Sequence, residues 1–217
     1  MTDTTLAPLS PDAITALFTR SDGQFLFARW GRPIVPVVFG VEDATVSILK
    51  GAIEAVVALA GHKMAETDPE LGANLMVFFI RDWAELTATP NLDRLIPDLA
   101  ALVVRLDGVG ANQYRSFRFD EGGGIKAGFV FVRMDDALAE APAETIALSQ
   151  IVQTILLWSD TAFLGASPLA ILRPGGPAIL KPQIADLIRA AYDPALPVAA
   201  TDPALCLRLA ARLGRRQ

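Results

Sequence analysis

The chain contains one cysteine and one histidine in 217 residues, and much of the chemistry open to a protein falls away with them. A lone thiol, Cys206, excludes an internal disulfide and any cysteine-cluster zinc site. Set among Leu205, Leu207 and Leu209, it reads as a buried, inert group. A lone imidazole, His62, cannot supply the two or more His or Cys ligands that zinc generally takes. Glu66, Asp68 and Glu70 nearby lack the spacing of a calcium loop, so His62–Gly72 reads as a solvated acidic loop. No Gly-x-Ser-x-Gly turn exposes a serine, and Gly165-Ala166-Ser167 lacks both the closing glycine and a preceding strand. Gly122-Gly123-Gly124 falls inside a hairpin turn and Gly175-Gly176 between two prolines. Neither has the strand-before, helix-after context of a phosphate cradle. No metal, cofactor or catalytic residue is expected on these grounds.

Positive charge is also in short supply. Nineteen Lys and Arg face twenty-four Asp and Glu, for a net charge of −5 and a pI near 4.9. Duplex binding leans on clustered cations, so no nucleic-acid partner is expected. The only basic cluster, Arg208, Arg212, Arg215 and Arg216, reads as a solvated helix end, where cations suit the helix dipole. Long apolar runs are missing as well. Mean hydropathy is high at +0.39, yet Ala52–Ala60 and Leu99–Val104 fall far short of the roughly 20 residues of a spanning helix. The start, MTDTTLAPLSPD, has no basic n-region and no apolar h-region. A cytoplasmic protein with no membrane span is the expectation.

What is present is a regular alternation of elements. Ser10-Pro11-Asp12 has the order of an N-cap, a first-turn proline and a first-turn acid, with Ile14, Leu17 and Phe18 on one face of the helix that follows. Ile34–Val41 reads as a strand, placed at an edge or bulged by Pro36. Asp43 or Thr45 opens a helix to about Ala60, ended by Gly61. Asn74–Ile80 is a short, nearly continuous apolar run, as a central strand would be. Asn91 is placed to cap a helix through Leu102, with Pro97 in its interior. Tyr114–Phe119 and Ile125–Arg133 alternate about Asp120-Glu-Gly-Gly-Gly124, a hairpin signal. Gly165–Pro177 reads as irregular, Pro182–Tyr192 and Ala204–Leu213 as helices. The order predicts an α+β single domain with a mixed sheet and a helical C-terminal half. Residues 1–23 form a lead-in helix, 24–198 the domain, and 199–217 a C-terminal helix packed on it.

The longest helical pattern follows the second hairpin strand, from Ala143 to Asp160. Its polar residues Ser149, Gln150 and Gln153 share one side with Ile146 and Leu157. Burying glutamines costs free energy unless each amide is bonded. That side is therefore either open to solvent or holds a hydrogen-bond network, and the residues alone leave both readings standing. Three carboxylate pairs, Asp120/Glu121, Asp135/Asp136 and Glu140/Glu144, read as hairpin ends and helix caps.

A resemblance joins several of these stretches. Phe27-Ala28-Arg29-Trp30 with Pro33-Ile34-Val35, then Gly128–Asp135, Ser149-Gln150-Ile-Val-Gln153, Ser159-Asp160 and Ala191-Tyr192-Asp193-Pro194-Ala-Leu196 resemble, in order, a proteobacterial family of uncharacterised zincin-like proteins. Many of those are described as putative lipoproteins. The likeness spans roughly Gln24 to Val198. In that family a helix carries Glu-Glu-x-x-Gln where zinc peptidases carry His-Glu-x-x-His, followed by Asn-Asp. Here the two glutamates are replaced by Ser149 and Gln150, and the asparagine by Ser159. A zinc peptidase needs imidazole ligands and a carboxylate base; serine and glutamine supply neither.

The resemblance therefore implies a metallopeptidase-like fold with a degenerate motif, and a binding or scaffolding role. The remnant groove is expected near Ser149, Gln150, Gln153 and Asp160, with Ile125–Arg133 as its edge strand and a protein or peptide as its partner. Two other readings stay open. One is a metal-independent hydrolase using Asp135, Asp136 and Asp160. The other is a homo-oligomeric assembly protein, suggested by the high hydropathy, Trp83, Trp158 and many exposed-looking leucines.

Overall fold

Two apolar runs, 75–80 and 125–133, decide the architecture, because strands so poor in polar residues must be covered on both faces. In the computed structural model, which describes residues 8–173 and 176–214, they become β3 (Leu75–Ile80) and β5 (Ile125–Arg133). The two run parallel, side by side, in the middle of a four-stranded mixed sheet. The strand order is β2-β3-β5-β4, with β2 (Pro36–Phe39) parallel to β3 and β4 (Gln113–Phe119) antiparallel to β5. Pro36 lies at an edge, where its missing N–H costs no ladder bond.

The sheet corrects one expectation directly. Ile125–Arg133 is not an edge strand but an inner one, paired on both sides. The edges belong to β2 and β4; β4, QYRSFRF, is polar at 113, 115, 116 and 118 and mostly half-buried.

Side chains alternate across the sheet, as the period of two requires. On one face Leu75, Val77, Phe79, Val130 and Val132 meet α2 (Asp43–Leu59), α7 (Ala143–Val152) and α8 (Pro182–Ala191). On the other, Phe78, Ile80, Phe129 and Phe131 meet α3 (Ala84–Ala88), α4 (Leu92–Leu95) and α5 (Leu99–Gly108). The protein is thus α+β, with helices on both faces of a mixed sheet. The helix expected after Asn91 is divided around Pro97. Asn91 (φ 62°) and Asp98 (φ 54°) start its two pieces in the left-handed region, which short polar side chains tolerate better than most.

The remaining elements tie the ends of the chain together. Ser10 caps α1 (Pro11–Phe18) by accepting the Ala13 N–H at 3.1 Å, and α9 (Leu205–Leu213) packs on α1 and α8. β1 (Phe27–Ala28) pairs antiparallel with β8 (Ala199–Ala200). β6 (Leu169–Ile171) and β7 (Ala178–Leu180) form a hairpin inside the stretch expected to be irregular. The C-terminal half is therefore not helical throughout: its apolar triplets LAI and AIL pair with each other. A short helix, α6 (Asp136–Ala139), is capped by Asp135, whose carboxylate accepts the Leu138 N–H. Trp83 and Trp158 are buried, at 1% and 8% exposure, so neither supports an oligomer interface. Cys206 is buried in the core. Gly175, Arg215 and Arg216 lie outside the described residues.

One polar latch fixes the crossing into the sheet. Asp68, expected in a solvated loop, is 5% exposed. It accepts N–H bonds from Glu70 and Leu71 at 2.9 Å each, and the Asn74 amide at 2.9 Å. Arg32 pairs with it at 3.3 Å. Asn74 passes the restraint on, donating to the Pro33 carbonyl and accepting the Val35 N–H. Burial alone would raise the Asp68 carboxyl, but these donors outweigh it and hold it down to about 2.

Candidate functional site

The site is built at the end of α7. Ile146, Ala147, Ile151 and Val152 bury one side of that helix against the core, which is why it forms after the sheet. It stops at Val152 rather than running on to Asp160. The next residues are drawn into strand-like contacts instead: the Leu157 N–H donates to the Ala28 carbonyl at 2.9 Å, and Arg29 bridges to Leu156.

Ending a helix in the interior leaves carbonyls without partners, and side chains take them up. Thr154 Oγ1 donates to the Gln150 carbonyl at 2.6 Å and Trp158 Nε1 to Val152 at 2.8 Å. Trp30 Nε1 donates to Thr154 at 3.0 Å, and the Tyr192 hydroxyl to Ile155 at 2.8 Å. Trp30 and Tyr192 come from two of the stretches that carry the resemblance. Their common task is to secure this helix end.

Between that helix end and the β4 edge opens a groove of about 830 Å³. Gln113, Arg115 and Phe117 form its sheet wall, Ser149 and Gln153 the helix wall, and the segment from Leu157 to Pro168 the far side. The sheet wall is also a hydrogen-bonding surface. The Arg133 N–H donates to the Asn112 carbonyl at 2.8 Å, and bonded pairs alternate in an antiparallel ladder. Residues 114, 116 and 118 therefore bond to β5. Gln113, Arg115 and Phe117 turn their backbone N–H and C=O outward, where no described strand pairs with them.

The four residues marked out in the sequence divide into three roles. Ser149 and Gln153 line the groove and bond to each other, Gln153 Nε2 donating to Ser149 Oγ at 3.0 Å. Gln150 does not line it: it is 1% exposed and lies beneath. Its Oε1 accepts from Arg115 Nη2 at 2.5 Å, and its Nε2 donates to Gln113 Oε1 at 3.1 Å. The polar side of α7 is thus both an open wall and an internal network. Asp160 lines the groove but is engaged. It accepts the Ser21 hydroxyl and, at 2.9 Å, the Ser21 N–H. The Ser21 hydroxyl and backbone hold its carboxyl below the ordinary value, so Asp160 fastens the 157–168 segment to the turn after α1.

The residue the sequence reading missed is Arg115. Its Nη2 donates to Gln113 Oε1 at 2.8 Å as well as to Gln150. Its Nε is sealed from solvent without a partner, and it joins no ion pair with a described residue. Burial lowers its pKa to about 10, which still leaves it charged at neutral pH. The available signal was Gln113, Arg115 and Phe117 on one strand face, with an arginine where an apolar residue would be expected.

Of the three carboxylates weighed for hydrolysis, only Asp160 reaches the groove; Asp135 caps α6 and bonds the Asn112 amide at 2.8 Å. His62 is held elsewhere, its Nε2 2.8 Å from the Arg32 carbonyl and its ring against Tyr192; burial lowers its pKa. Among the described residues, no three His, Cys, Asp or Glu come together as a metal-holding group. No helix among them is long and apolar enough to cross a membrane. No family model matches the chain, and no curated protein or solved structure matches it.

Proposed function

We propose that this protein binds an extended polypeptide segment as an added strand on the β4 edge, without cleaving it. The observation that carries the reading is the outward set of backbone groups at Gln113, Arg115 and Phe117, directly beside the groove. Exposed edges are templates for a further strand, and natural proteins commonly blunt them with lysine or proline. β4 carries neither. Main-chain bonds then give affinity, and pockets for alternate side chains give selectivity.

The metallopeptidase-like resemblance implied a peptide beside Ile125–Arg133; with that strand internal, the edge at the groove is β4. Such clefts take a peptide as an added strand above the motif-bearing helix, and here α7 comes after β5 with the short α6 between them. The motif positions are spent on structure: Gln150 bonds to Arg115 and Gln113, Ser149 to Gln153. A glutamine amide cannot accept a proton at neutral pH, and Ser149 has no base beside it.

The test is binding of fluorescent extended peptides from a randomised seven-residue library, followed by N-methylation at alternate positions. Strand addition predicts that N-methylation on the bonded edge abolishes binding while the intervening positions tolerate it. Equal tolerance at every position contradicts strand addition. Sedimentation of the free protein separates the competing occupant: a stable dimer that blocks peptide would assign the β4 edge to a second copy.

A further inference from the structure

The groove is cationic in an acidic protein. Its charged lining is Arg20 and Arg115 against Asp160 alone; Asp160 keeps its charge under the Ser21 bonds and lies in the field of Arg20, which leaves Arg115 as the charge that no neighbour offsets. Arg115 is the unusual member. A guanidinium has five N–H donors, and here one nitrogen, Nη2, serves both Gln113 and Gln150. Nη1 makes no hydrogen bond to a described residue, and no carboxylate pairs with the head. Two neutral amides hold the fork in place without cancelling its charge. Carrying a charge into a half-buried position without a counter-ion is costly, and a ligand carboxylate would offset that cost through charge-assisted bonds.

We infer that Arg115 is a carboxylate-recognising subsite, so that the peptide the groove takes is acidic at the position facing this strand residue. The inference rests on the strand-addition reading above and names the ligand chemistry for it. Arg20 also lines the groove, but its charge acts on Asp160, so the attraction for a carboxylate is that of Arg115. The carboxylate is either an Asp or Glu side chain or a C-terminal carboxyl, and the same probes separate these.

The experiment uses the full chain and two seven-residue peptide libraries, one with free carboxyl ends and one amidated, each with a single position fixed in turn as Glu or Gln. Wild type is expected to prefer Glu over Gln at one position by roughly ten- to hundredfold. If the C-terminal carboxyl is recognised, the preference falls between the free and amidated libraries instead. Arg115→Met removes the preference while retaining weaker, carboxylate-independent binding, and Arg115→Lys restores part of it, since an ammonium keeps the charge but not the fork. If Arg115→Met fails to fold, the wild-type preference is itself the readout. Peptide binding with no preference for a carboxylate overturns the subsite and leaves strand addition standing. No binding in either library overturns both.

Discussion

Asp68 offers the sharpest quantitative prediction about the fold. Its carboxylate takes four donors, from Glu70, Leu71, Asn74 and Arg32, and sits at about 2 against an ordinary 3.8. A folded-state value below the unfolded one means stability that is fully present above about pH 4 and lost as pH falls toward 2. At full strength the difference is worth about 2.4 kcal/mol. The side chain is covered by its loop, Asn74 and a partly exposed Arg32, so screening reduces this to about 1–2 kcal/mol. Asp68→Asn keeps the shape, removes the charge and turns an amino group toward N–H donors. Urea unfolding of both proteins, followed by the fluorescence of Trp30, Trp83 and Trp158, should show the variant about 2 kcal/mol less stable at pH 6.5. That gap should shrink by about 1–2 kcal/mol between pH 5 and pH 2.5. A gap that stays constant, or widens in acid, refutes the latch.

Three further outcomes follow from named contacts. Gln150→Glu would set a carboxylate against Arg115, so the roughly tenfold or greater preference for acidic peptides should collapse to about unity in the same library assay. Gly40 has φ +83° and lies so close to the Phe79 carbonyl that an added methyl would collide with it. Gly40→Ala should cost about 2–4 kcal/mol and lower the midpoint of thermal unfolding by roughly 5–15 °C. Burial raises the Cys206 thiol above its ordinary pKa, so a thiol-specific chromophore should label it in urea and leave it unlabelled in native buffer at pH 8.

The parts of the fold set by local chemistry were legible in the chain. Ser10-Pro11-Asp12 started α1, Asn74–Ile80 became an inner strand, and 114–119 with 125–133 became a hairpin. What escaped depended on neighbours distant in sequence. Ile125–Arg133 looked like one strand of an isolated hairpin, and only its pairing with β3, some fifty residues earlier, makes it internal. The end of α7 was misplaced because residues 153–158 have no strong helix breaker. Tertiary bonds from Ala28, Trp30 and Tyr192 stop the helix there.

The same limit governs the groove. Ser149, Gln150 and Gln153 stood out because polar residues on an apolar helix demand partners, but the partner that explains Gln150 lies thirty-five positions away on β4. Arg115 carried no motif of its own. Its meaning comes from an absence of counter-charge that only the assembled structure displays. Likewise Asp68 looked like one acid among several in a polar loop, until Asn74 and Arg32 closed around it.

Whether β4 accepts a strand is read directly by amide hydrogen exchange resolved by residue. In the free protein the N–H groups of Tyr114 and Ser116, bonded to β5, should exchange slowly, and those of Gln113, Arg115 and Phe117 quickly. Adding a binding peptide should slow exchange selectively at Gln113, Arg115 and Phe117 by at least about tenfold. Saturating peptide that leaves those three amides exchanging as before would show that the ligand does not pair with the edge, and would contradict the central claim.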